Sequence, residues 1–192
     1  MLDKAQLSAE QIAALEAEMI FLSELKKQKG LVQIKDDRLK NLGLKGIIAA
    51  TCPDGDHFLD VSGHLCRYNQ RVHLLALNGG AMLMSPQNKA YELDGAALIR
   101  NTSAAWEMGK GKTILLLSHW PCGRARHDVV PVQDVIRQTL EADETITAHL
   151  QVSEEVVLPL FHIDWTPFER DPAKKRRRTY FIKSAARALL NA

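Results

Sequence analysis

One short apolar run constrains the fold more than any other stretch. Thr113 to Leu117 is bounded by Gly109-Lys110-Gly111-Lys112 on one side and Pro121 on the other. A continuous apolar run of this length between breakers reads as a strand buried on both faces, as in a parallel sheet. His119 and Cys122 follow it, three residues apart. A tight turn there can aim an imidazole and a thiolate at one ion.

A parallel sheet gathers ligands outside the carboxyl ends of its strands. Gly46 to Thr51 is a second apolar run, and it stops at Cys52-Pro53-Asp54-Gly55-Asp56-His57. Cys52, His119 and Cys122, with Asp54 close by, therefore form a four-ligand or three-plus-one set for a borderline-soft cation such as Zn2+. Two other uses of these residues compete with zinc. Cysteines and a satisfied histidine could simply pack the strand ends, since free cysteine is among the most buried residue types. Cys52 and Cys122 could also act as a redox pair, although no Cys-x-x-Cys motif is present.

The pattern resembles the β-class carbonic anhydrases. That family has Cys-x-Asp-x-Arg at the end of a first strand and His-x-x-Cys-Gly at the end of a later one; here Cys52, Asp54, His119, Cys122 and Gly123 match, and Asp56 stands where the Arg would be. The resemblance spans about Lys45 to Gly123 and includes Asn78-Gly79-Gly80 as a loop lining the site. It implies a mainly parallel α/β sheet flanked by helices, with an N-terminal amphipathic helix that embraces a second subunit in a homodimer or larger homo-oligomer. It further implies hydration of carbon dioxide to bicarbonate (carbonate dehydratase activity) by zinc hydroxide, whose bound water has its pKa lowered to ~7. Asp54 would accept the hydrogen bond of that hydroxide.

Without the Arg, Asp54 gains a like charge two residues away, which raises the pKa of one carboxyl unless a cation intervenes. Zinc is one such cation, and Asp54 as fourth ligand gives a closed, catalytically silent or regulatory homologue. Arg124 or Arg126 is another, restoring a two-pronged contact to the carboxylate. Hydrolysis of carbonyl sulfide or carbon disulfide is a further use of the same metal hydroxide.

The 192 residues, 46% of them hydrophobic, suit one domain, with 1–44 as a helical arm and connector and 45–192 as the α/β core. A net charge of +2 gives no global case for nucleic acid or membrane binding. Lys174 to Arg178 is the local exception; it reads as a solvated charge run, or as a patch that makes the chain an oligomeric module for an anionic partner. Three cysteines, no signal-peptide pattern and no run of ~20 apolar residues predict a soluble cytoplasmic protein.

Along the chain, Ser8 and Gln11 form a capping box for a helix to about Lys29, with Ile12, Leu15, Met19 and Leu22 on one stripe facing either its own sheet or a second subunit. The segment 35–45 reads as a connector, and 54–70 as a loop with one helical turn. Arg71 to Leu77 is the second strand. Asp94 caps a helix to Met108 with Ala97, Ala104, Ala105 and Met108 on one face, and Asp128 caps another through Leu140, on which Val132, Ile136 and Leu140 face the sheet. Glu155 to Ile163 is a strand that Pro159 consigns to an edge or a bulge. After a loop over 164–175, Thr179 to Ile182 is a last antiparallel strand and Ser184 caps a last helix. His57, His64, His73, His127, His149 and His162 read as surface or satisfied core residues; His57 and His127, nearest the site in sequence, are the candidate proton shuttles.

Overall fold

A computed structural model describes residues 7–34, 46–68, 71–109, 112–166 and 176–190. The expected connector over 35–45 and most of the loop over 164–175 lie outside the described residues, as do the side chains of Asp56 and His64. The protein is α/β, with a six-stranded mixed sheet flanked by helices. The strands are β1 (Leu31–Gln33), β2 (Ile47–Thr51), β3 (Val72–Ala76), β4 (Thr113–Trp120), β5 (Val157–Asp164) and β6 (Arg177–Ile182). The helices are α1 (Ala9–Lys27), α2 (Gly55–Tyr68), α3 (Ala96–Glu107), α4 (Gly123–His127), α5 (Val132–Leu150) and α6 (Ala185–Leu190).

Strand order is β1-β6-β5-β4-β2-β3; β3, β2, β4 and β5 run parallel, while β6 is antiparallel to both of its neighbours. Period-two alternation sorts the side chains. Ile47, Ala49, Leu115, Leu117 and Leu160 pack with Val61 and Leu65 of α2 on one face. Ile48, Ala50, Ile114 and Leu116 pack under α3 and α5 on the other. The chain leaves β2 through α2 on one face toward β3, and leaves β4 through α5 on the opposite face toward β5. The crevice at the carboxyl ends of β2 and β4 is thus a topological switch point.

The capping box forms as expected, with Gln11 N–H donating to the Ser8 hydroxyl at 3.2 Å and Ser8 N–H to Gln11 Oε1 of the side chain at 3.0 Å. Leu15, Leu22 and Leu25 of α1 are buried on the chain's own core, with Met19 and Phe21 packed beside them. Glu18 fixes the helix in place: one carboxylate oxygen accepts from Trp120 Nε1 at 2.7 Å and the other from Val132 N at 3.0 Å.

Several expectations are corrected. Residues 55–68 form the helix α2 rather than a loop. Gly55, Gly63 and the polar residues mask a helical stripe, His57, Val61 and Leu65 at i, i+4 and i+8, all buried. Asp94 lies in a π-helical turn over Tyr91–Gly95 and caps nothing, and α3 buries Leu98, Ile99, Thr102, Ala105 and Trp106 while Met108 is exposed. Pro131, not Asp128, is the N-cap of α5, which buries Val132, Ile136 and Leu140 as expected and continues to Leu150. His119 belongs to β4 itself. Pro159 lies inside the sheet and not at an edge, paired with Leu116 of β4 and one residue before the ladder between β5 and β6 begins. The three-residue β1 was too short to leave a periodic signal; it takes part of the expected N-terminal arm into the sheet. No helix among the described residues is long and apolar enough to cross a membrane.

Candidate metal centre

Cys52 follows β2 directly, and the parallel pairing of β2 with β4 brings it to the end of the strand that carries His119. The Trp120–Pro121 peptide is cis, and beyond it the chain turns into α4 with Cys122 at its N-cap position. The ligand atoms of Cys52, His119 and Cys122 all lie within 4.8 Å of one another. All three side chains are buried, His119 at 1% exposure. Asp54 enters a second group under the same distance limit, with His57 and His119, and its Oδ2 lies 4.0 Å from His119 Nε2. Gly123 passes close to that carboxylate, 3.9 Å from where a Cβ would sit.

Cys52 is drawn down to about 4, chiefly by the hydrogen bond from Cys122 and further by the adjacent His119. Cys122 is raised far above the usual thiol range by that same bond and by burial, opposed in part by the N–H groups of Ala125 and Arg124. Such a pair titrates as a unit, and a dication placed between the sulfurs takes both as thiolates. Gly79 N–H donates to Cys52 Sγ at 3.3 Å, so the Asn78-Gly79-Gly80 turn does touch the site. Gly79 and Gly80 have φ of 110° and 60°, and a Cβ on Gly80 would stand 2.6 Å from Leu117 O and 2.8 Å from Cys52 N. Only glycine fits that approach.

A histidine cluster lies behind the ligands. His119 continues the stripe of Leu115 and Leu117, and His162, its register partner on β5, continues that of Leu160, so both rings face α2. His57 in the first turn of α2 meets them, its ring centroid 4.3 Å from that of His119 and 5.4 Å from that of His162. Burial lowers His57 to about 4 and His162 to about 3, leaving neutral imidazoles at ordinary pH. His162 Nδ1 is bonded to Thr179 Oγ1 at 2.9 Å. Both ring nitrogens of His119, His57 Nδ1 and His162 Nε2 are buried with no hydrogen-bonding partner among the described residues. A donor set of cysteine sulfurs and imidazole nitrogens, buried and with ring nitrogens otherwise unmatched, suits a cation.

His57 is the residue that sequence reasoning undervalued; its spacing to Val61 and Leu65 was the available signal. His127, the other candidate shuttle, is instead exposed and paired with Asp128 at 2.8 Å. The guanidinium of Arg124 is held by Asp128 and, at 3.6 Å, by Asp94. Arg126 is exposed and borders a small cleft that reaches His119 and Cys122 between α1 and the ligand turn. Within the basic run, Lys174 and Lys175 lie outside the described residues. Arg177 is no solvated charge: it is largely buried and bonded to Asp60 and, at 3.0 Å, to Asp164.

Comparison with models of known protein families, with curated proteins and with solved structures gave no match.

Proposed function

We propose that the chain is a zinc protein of the β-carbonic-anhydrase type that hydrates carbon dioxide to bicarbonate. The observation that carries this reading is the convergence of Cys52, His119 and Cys122 at the carboxyl ends of two adjacent parallel strands. Two thiolates and an imidazole are a zinc-type donor set, and three protein ligands leave a fourth position for reaction. Bound there, zinc supplies a Lewis acid that activates water toward a small electrophilic carbon.

The chain's own groups supply the rest. Gly79 N–H steadies the Cys52 sulfur. Asp54, 4.0 Å from His119 Nε2, would accept the hydrogen bond of a group bound at the open position. Leu15, Ala125, Val130 and Val135 line the cleft that reaches His119 and Cys122, giving an uncharged substrate an apolar approach, and Arg126 at the same cleft favours an anionic product.

A second reading has its own observation. Asp54 Oδ2 is 4.0 Å from His119 Nε2, while Arg124, a candidate to hold that carboxylate back, is engaged by Asp128 and Asp94. Asp54 as fourth ligand closes the site and makes the protein a silent or regulatory homologue.

Metal analysis and X-ray absorption on wild type and Asp54→Asn separate the two readings. The hydratase reading expects one zinc per chain with two sulfurs, one nitrogen and an exchangeable water. A carboxylate oxygen that disappears in Asp54→Asn establishes closure. In stopped-flow assays at pH 7 and pH 9, no carbon dioxide hydration above buffer by metal-replete protein refutes the hydratase reading.

A further inference from the structure

The second ligand group at this centre contains no sulfur. Asp54, His57 and His119 bring a carboxylate oxygen and two imidazole nitrogens within 4.8 Å of one another. Thiolates select soft and borderline ions, whereas two histidines and one carboxylate on one side of an ion suit harder divalent cations of the iron(II) and manganese(II) type. His57 is 4% exposed and its Nδ1 has no hydrogen-bonding partner among the described residues, on a helix face otherwise given to Val61 and Leu65. A buried polar nitrogen left unmatched is destabilising. An apolar residue would fill this place on α2 without that cost, so a ligand role accounts for the imidazole better than packing does.

We infer that Asp54, His57 and His119 form a second cation-binding set, overlapping the thiolate set through His119, and that the centre holds one ion at a time, in the sulfur set when the ion is soft and in the nitrogen–oxygen set when it is hard. The inference rests on the metal centre and not on carbon dioxide chemistry. The shared imidazole makes the two sets competitors, and the His57 ring lies only 4.3 Å from that of His119. Metal supply would then decide which donors are occupied and whether Asp54 is a ligand.

The test uses the full chain stripped of metal and titrated with Mn2+, read by electron paramagnetic resonance. One equivalent should bind to wild type, and one equivalent of Zn2+ should release it. His57→Ala should weaken Mn2+ binding about 10-fold or more, on the scale of losing one group at a metal site, while Zn2+ remains bound through both sulfurs, which also reports an intact fold. His57→Gln, which keeps bulk and offers an oxygen, should fall between the two and serves if the alanine variant does not fold. No stoichiometric Mn2+ binding to wild type, Mn2+ binding indifferent to both His57 variants, or Mn2+ and Zn2+ held together would each overturn the inference. Loss of sulfur-bound zinc with Mn2+ binding intact would instead refute the proposed function and leave this set standing.

Discussion

Replacing Gly80 by alanine tests the join between fold and site. Gly80 lies at φ 60°, and an added Cβ would stand 2.6 Å from Leu117 O and 2.8 Å from Cys52 N. Left-handed backbone costs a residue with a Cβ about 1–2 kcal/mol, and forcing extra volume against packed atoms costs about 1–3 kcal/mol. Both obstructing atoms are backbone, so neither can rotate away. A loss of about 3 kcal/mol is expected, or about 6–12 °C in melting temperature for a chain of this size. Because Cys52 is one of the obstructing residues, zinc affinity should fall as well, by about 10-fold or more. Gly63→Ala is the matched control: that position is exposed within α2 and nothing lies within 4 Å of its Cβ. It should stabilise by about 0.5–1 kcal/mol through helix propensity. Urea denaturation followed by circular dichroism measures both variants, and zinc titration measures the site. If Gly80→Ala unfolds within about 0.5 kcal/mol of wild type, the turn is not packed against the ends of β2 and β4 as described, and the reasoning fails.

Other outcomes follow from particular contacts. Glu18→Ala strands the Trp120 indole N–H and the Val132 N–H, both on buried residues. At about 1–3 kcal/mol for each unmatched group the loss in urea denaturation should be about 2–6 kcal/mol, with Glu18→Gln smaller because one acceptor survives. Burial raises the Asp143 carboxyl from 3.8 to about 6. The native state therefore binds the extra proton between those values, and stability falls as pH rises through that window. Asp143→Asn should remove that slope and be more stable than wild type at pH 7, as read from melting curves between pH 3 and pH 8. Cys122→Ser should lower the number of sulfurs around bound zinc from two to one in X-ray absorption, whereas Cys66→Ser, at an exposed position, should leave it unchanged.

What could be read in the sequence was what local chemistry writes down. The Ser8 and Gln11 box and the apolar run of β4 form as expected, and His119 and Cys122, written three residues apart, lie with Cys52 in a group that could hold an ion. The α2 helix was hidden because Gly55 and Gly63 are poor helix formers, and tertiary packing of Val61 and Leu65 outweighs that preference. Pairings across the chain left no mark. The contact of Arg124 with Asp94, the burial of Arg177 between Asp60 and Asp164, and the anchoring of Trp120 by Glu18 all depend on which elements become neighbours. Cys52 was placed beside His119 only by assuming that their strands end side by side, and the register of β2 with β4 supplies that adjacency.

That register also sets an order of events during the birth of the protein. His119 and Cys122 can meet an ion as soon as their short segment leaves the ribosome, but two donors form only a loose clasp. Cys52 joins them after β2 and β4 have paired, a long-range contact whose loop-closure entropy the apolar core must offset first. Under the proposed function, tight metal capture would be a late step that follows the pairing of the sheet.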